Sequence, residues 1–178
     1  MLKNVGKIEP KVKGEEKILI VQCEGKQILI KNDRYYTRKH MWAKKSSEGN
    51  FKVGVTDYAQ KFLREKVALI EITKNPTVGN EVEAGEVFGV MYGRLYANLD
   101  LMRSEYVSFD LTSPIDGRIV EVNSAVMDNP ELINADPYEK GWIVMIAQSP
   151  DSDFSDLITP LRYKRILEER EESPFRII

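Results

Sequence analysis

Few side chains in this sequence have the type and spacing that chemistry requires. His40 is the only histidine and Cys23 the only cysteine. A transition-metal site of the usual kind gathers several cysteines and histidines, so His40 has no partner for one and no metal ligand is assigned. A lone cysteine excludes an intramolecular disulfide, fits a reducing compartment and reads as a small half-buried hydrophobe in a strand. Glu81, Glu83 and Glu86 are clustered carboxylates, for which a solvated face is expected rather than a general-acid pair. No phosphate loop, dinucleotide fingerprint or serine elbow occurs, so no catalytic residue is assigned and the chain reads as a non-enzyme. What stands out is the distribution of amines. No lysine falls between Lys74 and Lys140, whereas Lys26 lies in Glu24-Gly25-Lys26-Gln27, at the expected tip of a hairpin.

The elements that must position these groups are bounded by composition. With 178 residues, 42% apolar and 30% charged, the chain suits one soluble globular domain with appendages. Its 26 basic and 28 acidic residues give a formal charge of -2, spread along the chain, with no footprint for nucleic acid or an anionic membrane. Apolar runs such as 67–70 and 143–146 are too short to span a bilayer, and the first ten residues lack the apolar core of a signal peptide. The expectation is a cytoplasmic protein.

Three parts follow along the sequence. Residues 1–33 form an N-terminal extension in which 18–21 and 27–30 pair as a hairpin. Residues 34–150 carry short strand-like runs at 51–55, 67–72, 86–91, 107–111, 118–122 and 143–147, a spacing that argues for a β-rich sandwich or barrel. Residues 151–178 form a helical tail. Helices are expected after Asp57, which with Gln60 makes an approximate capping box, after Asn129-Pro130, and after Thr159-Pro160. In the last of these Leu161, Ile166 and Leu167 are expected to pack inward, with Arg162, Lys164, Arg165 and the run 168–172 in water.

Within the middle part, Tyr36-Thr37-Arg38-Lys39-His40-Met41-Trp42 and Gly54-Val55-Thr56-Asp57-Tyr58-Ala59-Gln60 resemble the opening signatures of the glycine cleavage system H-protein family. So do the stretch from Val78-Gly79-Asn80 to Gly85-Glu86, the return Ser113-Pro114-Ile115-Asp116-Gly117 with Glu121-Val122-Asn123, and the long motif from Asp128-Asn129-Pro130 to Pro137-Tyr138, with Gly141-Trp142. The resemblance covers about two thirds of the chain. It implies a mainly β (α+β) fold: a lipoyl-like barrel-sandwich hybrid with short flanking helices, extended here by the N-terminal hairpin and the C-terminal helix. In that family a lysine on a hairpin turn carries lipoate as an amide. The arm shuttles an aminomethyl group and electrons among a pyridoxal-phosphate decarboxylase, a folate-dependent aminomethyltransferase and a flavin-dependent dehydrogenase, and the H protein itself catalyses nothing.

The sequence departs from the family at that hairpin. Phe88-Gly89-Val90 and Ser113-Pro114 are kept, but counting forward puts Leu95 at the lysine position and counting back puts Tyr106 there, about eleven residues later. Neither residue has an amine, and the guanidinium groups of Arg94 and Arg103 stay protonated, with pKa above about 12. Lipoate is therefore excluded at the usual position and no cofactor is expected. Tyr92, Leu95, Leu99, Met102 and Tyr106 recur at intervals of three or four, which predicts at least two turns of amphipathic helix. Together with Tyr96 and Arg103 they form the candidate partner-binding surface; the alternative is a ridge folded onto the barrel or the extension. Three functions remain open. One is a non-lipoylated H-protein-like binding or regulatory module whose protein partners are glycine cleavage components or lipoate-handling enzymes. The second is a carrier of the glycine cleavage system, or of a related lipoate-linked pathway, that uses another amine such as Lys26. The third is a small-molecule-binding protein with an apolar cleft near Tyr92, Tyr96 and Tyr106.

Overall fold

The computed structural model describes residues 18–63, 66–73, 80–98, 103–169 and 176–177. Strands β1 (Ile18–Cys23) and β2 (Lys26–Lys31) form the expected N-terminal hairpin. Its turn is Glu24-Gly25, with φ of 48° and 78°, the two positive values that the tight hairpin turn matched to strand twist requires. The tip is thus Glu24-Gly25. Lys26 is one residue inside it, paired with Cys23.

The body is made of two antiparallel sheets folded over one core, the barrel-sandwich architecture expected. One sheet combines β3 (Tyr35–Tyr36), β4 (Met41–Lys45), β5 (Phe51–Val55), β7 (Glu81–Val82), β10 (Gly117–Val122) and β11 (Val144–Gln148) in the order β3-β4-β5-β11-β10-β7. The other combines β6 (Val67–Glu71), β8 (Val87–Asn98), β9 (Arg103–Thr112) and β12 (Arg176–Ile177) in the order β12-β9-β8-β6. Val53, Phe88, Met91, Leu111, Ile119 and Ile146 are fully or almost fully buried between them. The first residues of β10 and β11 alternate inward and outward with the period of the strand, while β5, β8 and β9 also carry neighbouring buried residues.

Helix α1 (Asp57–Phe62) is capped one residue earlier than the sequence suggested. Thr56 Oγ1 accepts from Ala59 N at 3.2 Å, and Asp57 instead accepts from the Gln60 amide at 2.7 Å. A serine or threonine placed just before the first turn satisfies a free amide, and Thr56 outcompetes Asp57 for that position. Asn129 does not cap a helix start either: it closes α2 (Ser124–Asp128), and the short α3 (Leu132–Ala135) follows without a side-chain cap. Helix α4 (Pro160–Glu168) begins as expected, with Thr159 Oγ1 accepting from Arg162 N and Pro160 in the first turn. Its inward residues are Tyr163 and Leu167, with Ile166 half-buried; Leu161 is 54% exposed, contrary to expectation, and residues 170–172 of the expected charged face lie outside those described. Tyr163 takes the inward place because its hydroxyl finds His40 and Thr56, as a buried phenol must.

Helix α4 and the hairpin build a second apolar cluster beside the main core. Ile28, Ile30, Tyr36, Trp42, Tyr58, Tyr138, Tyr163 and Leu167 are buried there. The rings of Tyr36 and Tyr163 stack at 4.6 Å with 6° between planes. The backbone of Leu29 is held by side chains: its N–H donates to Asp57 Oδ2 at 2.8 Å, and its carbonyl accepts from Tyr138 Oη at 2.6 Å. A strand edge held this way is not open to another chain.

Candidate functional site

The hairpin of β8 and β9 occupies the place where the resemblance puts the family's attachment lysine. Its ladder runs from Val87↔Thr112 through Tyr92↔Ser108, Gly93↔Val107 and Arg94↔Tyr106 to Tyr96↔Glu105, Ala97↔Ser104 and Asn98↔Arg103. Strand β6 flanks β8 only as far as Gly93, and β12 flanks β9 at Val107 and Ser108. Beyond that level, among the described residues, the two strands pair only with each other. The hairpin therefore leaves the sheet as a two-stranded ribbon.

The helix expected near 92–106 does not form. The ladder is already running at Val87, so each further rung satisfies backbone groups on both strands, whereas a helix would have to nucleate afresh beside Gly93. The spacing of the apolar residues coincided with a helical period without a helix behind it. Of the candidate partner-binding residues, Tyr92 is half-buried in β8 and donates its hydroxyl to Glu71 Oε2 at 3.2 Å, and Tyr106 is half-buried in β9. Leu95 falls in the register shift between Arg94 and Tyr96, and Tyr96 and Arg103 are strand residues on the ribbon. Leu99 and Met102 lie outside the described residues.

The two residues reached by counting to the expected lysine position lie close together on the ribbon. Leu95 and Tyr106 stand at the same level of the ribbon, the first in the bulge and the second opposite Arg94. Beyond that level the ladder continues through Tyr96↔Glu105, Ala97↔Ser104 and Asn98↔Arg103. At the ribbon's root the backbone must come close to its support: a Cβ on Gly93 would lie 2.4 Å from the Leu63 carbonyl oxygen. Only glycine accommodates that approach.

Lys26, the other candidate amine, is engaged. Its Nζ donates to the Lys61 carbonyl at 2.6 Å and sits 4.8 Å from the centre of the Phe62 ring. Lys61 Nζ returns the clasp, donating to the Gln27 carbonyl and to Asp57 Oδ2, each at 2.7 Å. His40 is fully buried with φ of 60°, its Nδ1 lies 2.6 Å from the Tyr163 hydroxyl, and its ring is 4.6 Å from Tyr58. That is a packing role. Cys23 is buried in β1 rather than half-buried as expected. Glu83 and Glu86 close their turn on each other, the Glu83 N–H donating to Glu86 Oε2 at 3.0 Å. Among the described residues no group of three or more His, Cys, Asp or Glu could hold a metal ion, and no helix is long and apolar enough to cross a membrane.

One strongly organised group was not foreseen. Arg34, 2% exposed, donates to Asp33 and Glu139 carboxylates and to the Tyr138 carbonyl, and its guanidinium lies over the rings of Trp42 at 4.7 Å and Tyr138 at 5.0 Å. Burial resists ionisation of Asp33, but hydrogen bonds from Arg34 and Lys44 outweigh it and hold its pKa below the ordinary carboxylate value. Nothing in the sequence near Arg34 signals partners a hundred residues away. Among the described residues, one cleft lies by Lys26, Gln60 and Asn134 and another by Arg38, Lys39 and Arg162.

The model of the glycine cleavage H-protein family matches residues 34–170. The chain is 37% identical over 145 residues to the glycine cleavage system H protein of Carboxydothermus hydrogenoformans, covering 81% of this chain and 98% of the relative. It is 35% identical over 153 residues to glycine cleavage system H protein 4 of Aquifex aeolicus, covering 84% and 80%. The crystal structure of a glycine cleavage system H protein from Mycobacterium marinum superimposes with a TM-score of 0.58 at 29% identity, over 74% of this chain and 94% of that one.

Proposed function

We propose that this chain, which belongs to the glycine cleavage H-protein family, has kept the family's body as a recognition surface and no longer carries lipoate at the family's position. H proteins are carriers rather than catalysts, and their partners are the other glycine cleavage components. The observation that carries the proposal is the ribbon: its added rungs begin where the arm would attach, in a stretch with no lysine between Lys74 and Lys140. The arm does not fit there. An amide requires a nucleophilic amine, leucine has no nucleophile, and a phenol would give only a labile ester.

In this reading the ribbon, from Arg94 and Tyr106 outward, is the docking element, and the partners are proteins that recognise an H-protein body, either glycine cleavage components or lipoate-handling enzymes. Pull-downs with the wild-type chain and with a deletion of 95–102 test it. Loss of specific partners from the deletion is the expected result, and recovery of the same partners by both refutes the docking role.

A second reading keeps the carrier function and moves the arm to another amine, and it draws support from a body that matches the family over 34–170. Lys26 is its best-placed candidate, since its side chain is solvent-exposed although its amine is hydrogen-bonded to Lys61. Intact mass after co-expression with a lipoyl ligase separates the two: an unmodified chain fits the first reading, and a lipoyl adduct mapped to Lys26 establishes the second.

A further inference from the structure

We infer that the cleft between the first body motif and the start of α4 binds a small anion with two acid groups, carboxylate or phosphate. The cleft has a volume of about 250 Å³ and is lined by Arg38, Lys39 and Arg162, with Asp156 the only carboxylate on its wall among the described residues. In a chain whose formal charge is -2, three cations against one acid is a local reversal of sign. Arg38 and Arg162 are exposed, and among the described residues neither guanidinium has a hydrogen-bond or ion-pair partner. A planar guanidinium fork matches a carboxylate or phosphate in two parallel hydrogen bonds, and two such forks on one small cleft match a ligand with two acid groups.

Position strengthens the case. Arg162 stands in the first turn of α4, where the helix dipole makes a cation unfavourable and an anion favourable. With no acidic residue in that turn, the unfavourable charge is left for a ligand to offset. Lys39 is fixed by donating to the Gly85 carbonyl at 3.1 Å, so its charge is already placed on the cleft wall. Gly85 in turn donates its N–H to the Ser113 carbonyl at 2.7 Å, which ties this wall to the end of β9. These wall contacts lie at Gly85 and Ser113, away from the ribbon rungs beyond Gly93, so the site stands apart from the docking role proposed above.

The test is calorimetric titration of the full-length chain with pyrophosphate and, separately, with glutarate, at ionic strength held constant with sodium chloride. Saturable binding is expected for at least one of them, and the tighter of the two decides whether the ligand's acid groups are phosphate or carboxylate. The double variant Arg38→Gln/Arg162→Gln is expected to weaken it by about tenfold or more. Arg38→Lys/Arg162→Lys keeps the charge and loses the forks, and an intermediate affinity is expected. Both arginines are exposed, so thermal melting of the variants should match wild type and confirm that they fold. No saturable binding of either probe, or binding that the glutamine double variant retains in full, overturns the inference.

Discussion

The junction of the β1–β2 hairpin with α4 and the β8–β9 ribbon are opposite ways of extending one body. At the junction, the hairpin of β1 and β2 and the helix α4 converge on Tyr36, Trp42, Tyr58, Tyr138 and Tyr163, and polar groups there are matched across the sequence: Arg34 with Glu139, His40 with Tyr163, Leu29 with Tyr138 and Asp57. On the ribbon, pairing beyond Gly93 and Val107 is local, strand to adjacent strand. The first extension is welded by long-range contacts, and the second, among the described residues, is paired strand to adjacent strand. Substitutions at the junction should therefore cost stability, while changes to the ribbon should cost little stability and alter what the protein recognises.

The largest effect is expected at Arg34. Arg34→Ala leaves Asp33 and Glu139 with Lys44 as their remaining cation, removes the charge-assisted hydrogen bonds of a buried guanidinium and opens space under Trp42 and Tyr138, a loss of about 3 kcal/mol. Urea unfolding of the variant measures it. Asp33 adds a pH dependence of known sign. Its folded pKa lies below the unfolded value of 3.8, so its contribution is fully present above that value and is lost as pH falls through the folded pKa. Asp33→Asn should be less stable than wild type at neutral pH and should flatten the acid limb of stability below pH 4. An unchanged acid limb would show that the junction is not held by this pair.

At the boundary between the two regions, Gly93→Ala should destabilise by about 1–3 kcal/mol, because the new methyl meets the Leu63 carbonyl and backbone cannot move aside as a side chain can. Thr159→Ala removes the cap of α4 and should cost about 1 kcal/mol, read as a lower urea midpoint at unchanged slope. If Gly93→Ala proved as mild as the capping change, the ribbon would be less firmly rooted than its geometry implies.

How legible these regions were in the sequence follows from the range of the interactions that make them. Strand β5 (Phe51–Val55) was read to the residue, because alternation and bounding turns are local signals, and the N-terminal hairpin was readable from Glu24-Gly25 for the same reason. Strand β4 (Met41–Lys45) was missed: three buried residues in a row followed by two lysines show no alternation. The ribbon was misread because register inherited from Val87 overrides a local period of three or four. Arg34 could not have been found at all, since its partners Tyr138 and Glu139 are brought to it only by the closed fold. The cation cleft was half visible, Arg38-Lys39 standing in a motif and Arg162 in a helix start that nothing in the sequence brings together.

The ribbon itself should give the smallest change in stability and the clearest change in behaviour. Replacing residues 96–105 with an Asn-Gly turn removes only rungs that pair with each other, and the free energy of unfolding should shift by less than about 1 kcal/mol. The shortened hairpin would then turn at the level of Leu95 and Tyr106, where the resemblance places the family's lysine. Adding Tyr106→Lys to that shortened chain should create a substrate for a lipoyl ligase, visible as one lipoyl adduct by intact mass. The same substitution in the full-length ribbon leaves the amine on the flank of a longer hairpin rather than at its turn, and modification should be slower by about tenfold or more, a barrier difference of about 1.4 kcal/mol. Equal modification of the two would mean that the missing amine alone separates this chain from a carrier. Modification of the shortened chain only would mean that the added rungs move the attachment level out of the ligase's reach, so that the hairpin has been rebuilt and not merely deprived of its lysine.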